Sequence, residues 1–152
     1  MGTTTTEGEI LDIGALEPGP RPSLKTGEDR RRVLLVEDDP PQREFLATLL
    51  QAEGYRVDSA ASCLDAFLQV IRTYYHCLVL DLLFPEVDGL FLYEQVRRLD
   101  PDLARRTVLI TGSEEGHPLL ARARRAKLPI LRKPLRNRDL LEILSRFCGG
   151  PA

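Results

Sequence analysis

The chain has 152 residues, 43% hydrophobic, 29% charged and 6% aromatic, which suits one compact domain with a respectable core. Lys and Arg number 21 against 23 Asp and Glu; the net charge of −2 argues against a generic polyanion binder, and no apolar run approaches the ~20 residues of a membrane helix. Cys63, Cys77 and Cys148 lie far apart with no CxxC pair, and the opening Met1-Gly2-Thr3-Thr4-Thr5-Thr6 has neither the basic nor the apolar region of a secretion signal, so secreted, membrane-spanning and zinc-finger readings are excluded and a reducing, cytoplasmic setting is expected.

Composition shifts near residue 30. The first 29 residues carry Glu7, Glu9, Asp12, Glu17, Glu28 and Asp29 against Arg21 and Lys25, together with five glycines and the run Glu17-Pro18-Gly19-Pro20-Arg21-Pro22. Such a segment cannot bury enough apolar area to offset its ordering entropy, so residues 1–30 are expected to form a disordered acidic tail. Ile10, Leu11, Ile13 and Leu16 make one apolar island in it, able to dock on a partner or on the domain. The domain is expected over 31–148, with a short C-terminal tail at 149–152.

Within the domain, short apolar runs alternate with amphipathic stretches. Val33-Leu34-Leu35-Val36 reads as a strand covered on both faces. Asp39 then caps a helix that tolerates Pro40-Pro41 in its first turn, carries Phe45, Leu46, Leu49 and Leu50 at helical spacing, and ends at Gly54. Tyr55–Ser59 is the second strand, and Ser62 caps a second helix bearing Leu64, Phe67, Leu68 and Ile71. Cys77–Leu80 is the third strand and Leu90–Leu99 the third helix. Thr107–Ile110 is the fourth strand, followed by a short helix from near Pro118; Leu128–Leu131 is the fifth strand and Asn137–Phe147 the closing helix. Five strands alternating with five helices imply an α/β fold, a parallel sheet with helices on both faces.

In such sheets a ligand site lies beyond the carboxyl ends of the strands. Strand one runs into Glu37-Asp38-Asp39, strand three into Asp81, strand four into Thr111 and strand five into Arg132-Lys133-Pro134. Each residue alone has a plain reading, as a helix-capping acid, a solvated strand end or a β-branched strand residue. Four polar ends in one alternation are hard to obtain by chance. Converging carboxylates from Glu37, Asp38 and Asp81 repel one another unless a cation neutralises them, and Mg²⁺ is the natural one for a few hard oxygens. A carboxylate nucleophile, a metal, a lysine and a hydroxyl are the parts phosphoryl transfer uses.

The chain resembles the receiver domains of two-component response regulators. The motifs that carry the resemblance are Val33-Leu34-Leu35-Val36-Glu37-Asp38-Asp39-Pro40, Leu80-Asp81-Leu82-Leu83-Phe84-Pro85-Glu86-Val87-Asp88-Gly89, Ile110-Thr111-Gly112 and Leu131-Arg132-Lys133-Pro134-Leu135. The separations of 43 residues from Asp38 to Asp81, 30 from Asp81 to Thr111 and 22 from Thr111 to Lys133 are also family-like. The resemblance implies a flavodoxin-like, doubly wound (βα)5 sandwich with a five-stranded parallel sheet. It implies that Asp81 accepts a phosphoryl group from a histidine kinase or histidine phosphotransfer protein. Mg²⁺ would be held by Asp38, Asp81 and the main-chain carbonyl of Leu83, with Glu37 acting through water. Lys133 would pair with Asp81 and then with the phosphoryl oxygens, and Thr111 would move in to hydrogen-bond them. The Lys133-Pro134 bond is often cis in the family, and Pro85 with Asp88-Gly89 would shape the turn into the third helix.

Two departures stand out. The family commonly places an aromatic that swings with phosphorylation three residues before Lys133, and here that position is Ile130. The fourth helix is unusually basic through Arg122, Arg124, Arg125 and Lys127; this reads as a solvated face, with an acidic partner as the alternative. Only five residues follow Phe147, so the expectation is a stand-alone receiver without direct DNA binding, signalling to a downstream protein through its last two helices and last strand, with homodimerisation open. Such a protein catalyses only its own phosphorylation and dephosphorylation. A receiver-fold binding module that works without phosphate is the alternative. A phosphatase of the haloacid-dehalogenase type is disfavoured, because the general-acid position two residues after Asp81 is Leu83. His76 and His117 lie off the acidic edge and are not expected to transfer phosphate.

Overall fold

The computed structural model describes residues 31–84, 87–112 and 116–148. The expected N-terminal tail, the last four residues and Pro85 lie outside these. The elements run β1 (Arg32–Val36), α1 (Pro40–Ala52), β2 (Arg56–Ala60), α2 (Cys63–Arg72), β3 (Cys77–Asp81), α3 (Gly89–Leu99), α4 (Pro101–Arg105), β4 (Thr107–Thr111), α5 (Pro118–Arg125), β5 (Ile130–Arg132) and α6 (Asn137–Cys148). All strands pair in parallel, in the order β2-β1-β3-β4-β5. The expected doubly wound parallel sheet is therefore present.

The period of two along the strands sorts the core into two layers. Leu34 and Val36 of β1, Leu78 and Leu80 of β3 and Leu109 of β4 face α2, α3, α4 and α5, where they meet Phe67, Val70, Leu92, Val96, Leu103 and Leu119. Val33, Leu35, Cys77, Val79, Val108 and Ile110 face the other way, onto Leu46 and Leu50 of α1 and Leu140, Ile143, Leu144 and Cys148 of α6. Every residue of β3 and β4 is buried, the mark of central strands covered on both faces.

Side-chain caps fix where the helices begin. Asp39 accepts from the Gln42 N–H at 3.1 Å, Ser62 from the Asp65 N–H at 3.1 Å and Asp88 from the Phe91 N–H at 2.9 Å. His117 does the same for α5, its Nδ1 accepting from the Leu119 N–H at 3.0 Å. Gly54, with φ of +94°, follows α1 in the left-handed region that glycine adopts without strain.

The helix count, the start of β5 and the burial of two apolar side chains differ from expectation. Among the described residues six helices are present rather than five: Asp100 and Pro101, an N-cap followed by a proline at the first helical position, start the short α4 before β4. The readout face foreseen from the last two helices and last strand is therefore α5–β5–α6. Strand β5 begins at Ile130 rather than Leu128, since Pro129 has no N–H to offer; its carbonyl instead accepts from the Leu109 N–H at 2.9 Å. Phe45 and Leu64, placed on the apolar stripes of α1 and α2, are each 57% exposed, and Ala66 and Val70 share the inward face of α2 with Phe67.

Gly89 has a specific role in the packing of α3 against the end of β3. Its N–H donates to the Leu82 carbonyl at 2.8 Å, and a Cβ there would sit 2.4 Å from the Asp81 carbonyl oxygen and 3.0 Å from the Leu82 Cα. Both obstacles are backbone and cannot rotate away. Gly89→Ala is therefore expected to lower stability by about 1–3 kcal/mol in denaturant unfolding, through overpacking rather than lost conformational freedom.

Candidate functional site

The sheet register brings the polar strand ends together. Val36 of β1 pairs with Leu80 of β3, so the residues that follow, Glu37 and Asp81, stand level. Asp81 pairs with Ile110, and Thr111 pairs with Arg132, which puts Thr111 and Lys133 within one residue of the same line. The position is the edge beside the β1/β3 reversal of strand order, where ligand sites of open α/β sheets form.

The side chains meet as the register implies. Lys133 Nζ lies 2.9 Å from Asp81 Oδ2 and 3.2 Å from Glu37 Oε1, so one ammonium bridges two acids. Glu37, Asp81 and Thr111 are buried, Asp38 and Lys133 half-buried. The Leu83 N–H donates to Asp81 Oδ1 at 3.1 Å, so both oxygens of that carboxylate are held and its plane is fixed. The Asp39 N–H donates to Glu37 Oε2 at 3.1 Å. Lys133 is tied to β4 as well, its own N–H donating to the Thr111 carbonyl at 2.8 Å, and the Lys133-Pro134 bond is cis.

Sequence reasoning missed two partners. Arg43 of α1 donates to the carbonyls of Glu37 at 2.9 Å and Asp38 at 3.3 Å, holding the acidic turn from outside; an arginine four residues past a cap carries no signal of that duty. Glu37, expected to act through a metal-bound water, also touches Lys133 directly.

Electrostatics follow from burial. The Glu37 carboxyl is pushed up to about 7, first by desolvation and then by the neighbouring Asp81 charge, with the Asp39 N–H and Lys133 pulling the other way without cancelling it. Desolvation works against the Lys133 ammonium, but its contacts with Asp81 and Glu37 outweigh that and hold it above the usual lysine range. One ligand oxygen each from Glu37, Asp38 and Asp81 lies within 4.8 Å of the others. An oxygen-only, acid-rich set of this kind, with one member half open to solvent, fits a small hard cation that retains water ligands.

Other expected residues fall elsewhere. Ile130 opens β5, half-buried against the core layer beneath α5. His76 is buried where β3 begins, at the opposite edge of the sheet, and His117 caps α5. Of the basic residues on α5, Arg122 reaches Asp88 Oδ2 at 3.3 Å, which links α5 to the start of α3. Beside Lys133, an apolar groove of about 360 Å³ is lined by Pro41, Phe45 and Leu46 of α1 and by Pro134 and Leu135.

The chain matches the family described as response regulator receiver domain over residues 33–145. It is 32% identical over 119 residues to the response regulator receiver protein CpdR of Brucella abortus, a match covering 77% of this chain and 96% of that protein. Its fold is similar to that of the CheY-like receiver domain protein of Methanospirillum hungatei, with a TM-score of 0.72, 24% identity and coverage of 78% of this chain and 94% of the other. It is similar also to the receiver domain of the sensor histidine kinase PA1611 from Pseudomonas aeruginosa, solved with a magnesium ion coordinated in its active-site cleft; there the TM-score is 0.70 and the identity 25%, over 79% of this chain and 98% of that domain.

The raised Glu37 carboxyl has a measurable sign. In metal-free buffer the folded chain binds this proton more tightly than the unfolded chain does, so the contribution to stability is full below about pH 4.5 and is lost as pH rises through about 7. The loss is on the order of 3 kcal/mol across that window. Denaturant midpoints measured with a chelator present should show it, and Glu37→Gln should flatten that part of the profile; an unchanged slope in the variant would assign the titration to another group.

Proposed function

The chain belongs to the response regulator receiver domain family, and we propose that it is a phosphoacceptor switch of a two-component phosphorelay that takes a phosphoryl group onto Asp81. The observation that carries this reading is the setting of Asp81: a buried carboxylate at the end of a central strand, held on one oxygen by the Leu83 N–H and on the other by Lys133 Nζ at 2.9 Å. A nucleophile fixed in this way meets its donor without first losing orientational freedom.

Asp38, Asp81 and the Leu83 main-chain carbonyl would hold Mg²⁺, with Glu37 acting through a water. Bound there, the ion supplies positive charge opposite the phosphoryl oxygens. The remaining work falls to the chain's own groups. Asp81 attacks phosphorus in line while the bond to the donor's histidine nitrogen breaks, and the imidazole leaves with the electron pair. Lys133 offsets charge on the phosphoryl oxygens as it forms. The Thr111 hydroxyl then moves in to donate to one of them. Because the Lys133 N–H is bonded to the Thr111 carbonyl, a shift of either residue pulls on the other, and the α5–β5–α6 face, which runs on from Thr111 and flanks Lys133, is the surface that changes shape. Phosphorylation thus biases a two-state element rather than building a new one. The family is one of signalling domains rather than of turnover enzymes, and the chemistry here is confined to the chain's own phosphorylation and dephosphorylation.

The donor is a histidine kinase or histidine phosphotransfer protein. A protein that delivers a histidine to Asp81 has to rest on the rim of the site, and the apolar groove beside Lys133 is the part of that rim suited to a helical surface. The readout partner is a downstream protein. A second reading, a binding module that works without phosphate, is favoured by one observation: Ile130 is a packed aliphatic where the family commonly has a swinging aromatic.

One experiment separates the two readings. Incubated with Mg²⁺ and acetyl phosphate or phosphoramidate, the protein should gain the mass of one phosphoryl group, and Asp81→Asn should gain none; labelling that persists in the variant refutes Asp81 as acceptor. Failure to label with any donor, beside partner capture by the unmodified protein, would favour the second reading. The groove makes its own prediction. Phe45→Ala should slow transfer from the protein donor by roughly tenfold, as loss of an exposed aromatic anchor does, and leave labelling by acetyl phosphate unchanged. Equal losses with both donors would place Phe45 in the site's architecture instead.

A further inference from the structure

At the edge of the sheet opposite Asp81, where β3 begins and α6 ends, three side chains with soft or borderline donor atoms converge. Cys77 opens β3, His76 precedes it, and Cys148 is the last residue of α6. One ligand atom from each lies within 4.8 Å of the others, and the two Sγ atoms are 3.4 Å apart. Cys77 is fully buried, His76 is 5% exposed and Cys148 7%. None of the three serves the phosphoacceptor chemistry.

The two sulfurs are close to the spacing they take in a tetrahedral zinc centre. Zn–S bonds of about 2.3 Å at tetrahedral angles set the two sulfurs roughly 3.8 Å apart, so the pair has only to open by a few tenths of an ångström. The imidazole is already oriented: its Nε2 lies 2.8 Å from the Phe147 carbonyl, the kind of acceptor that fixes the ring and tautomer of a ligating histidine. Nδ1 lies 3.2 Å from the Tyr74 hydroxyl, a contact that can yield to a cation. The contact with Cys148 and then burial push the Cys77 thiol up, so the pair cannot ionise unaided in this apolar setting. A bound cation removes that obstacle, because metal–thiolate bonds replace both the protons and the repulsion.

We propose that His76, Cys77 and Cys148 form a structural site for a thiophilic divalent cation, Zn²⁺, which clasps the end of α6 to the start of β3. Binding exchanges two thiol protons for one ion and takes one ring nitrogen of the neutral imidazole, which leaves a fourth position that these three residues do not fill. Helix α6 borders the face through which a receiver signals, so the clasp would stiffen the far end of that helix without touching Asp81.

The test uses the full chain, reduced and stripped of metal, then titrated with Co²⁺ as a spectroscopic substitute for Zn²⁺. Thiolate ligation gives intense near-ultraviolet charge-transfer bands that the carboxylates of the acidic edge cannot produce. The bands should saturate at one equivalent, bleach when Zn²⁺ is added, persist in Asp81→Asn and disappear in Cys148→Ser. Zn²⁺ should also raise the thermal unfolding midpoint of the parent chain by several degrees, and that of Cys148→Ser not at all. His76→Gln, which leaves both thiols in place, should weaken Co²⁺ binding by at least tenfold and shift the bands. Absence of charge-transfer bands, bands unchanged in Cys148→Ser, or an equal thermal shift in parent and variant would overturn the proposal.

Discussion

The arrangement at the active edge depends on one compensated charge cluster. Glu37 and Asp81 are both buried, and the Lys133 ammonium lies 2.9–3.2 Å from each. Removing an ion from water costs several kcal/mol, and an unpaired one would not be held there. The lysine makes the two acids compatible with the folded state, although burial first and the Asp81 charge second still push the Glu37 carboxyl up. The part of that push that is repulsion from Asp81 is what an added cation would relieve. The same crowding of carboxylates suits this edge to the cation proposed for it.

The surrounding structure serves to hold that cluster in place. Parallel register sets Glu37 level with Asp81, and cross-pairing of Thr111 with Arg132 sets Lys133 opposite them. Arg43 fastens the acidic turn from α1. Gly89 lets the first turn of α3 approach the Asp81 carbonyl more closely than any side chain permits. The same end of α3 reaches α5 through Asp88 and Arg122, an exposed pair of little energetic weight that nonetheless joins the site's rim to the side proposed for readout. A phosphoryl group arriving among such tightly coupled parts has few ways to be accommodated other than by a concerted shift.

Much of this was legible in the sequence because strand ends of a parallel sheet converge by topology alone. Once Val33–Val36, Cys77–Leu80, Thr107–Ile110 and the apolar run before Lys133 read as strands, Glu37, Asp38, Asp81, Thr111 and Lys133 had to share one edge. The losses have local physical causes. Helix α4 is little more than one turn, too short for a periodicity to appear, and only Asp100-Pro101 announces it. Leu64 and Phe45 sit on apolar stripes, but helix rotation is settled by packing, and small residues such as Ala66 took the inward positions. Gly89 looked like a turn glycine because close approach to another backbone leaves no mark on its neighbours. The meeting of Cys77 with Cys148, 71 residues apart, depends on where α6 ends over the sheet, which no spacing encodes.

The carboxylate held by Lys133 is proposed as the one that takes the phosphoryl group. An acyl phosphate, unlike a phosphate ester, is reduced by borohydride, which converts a phosphorylated aspartate to homoserine. Treating the protein with acetyl phosphate and Mg²⁺, reducing it, and sequencing its peptides by mass spectrometry reads the acceptor directly. The account predicts homoserine at position 81 and nowhere else, dependent on Mg²⁺. Homoserine at position 38, or a phosphoryl group that survives borohydride unchanged, would contradict it.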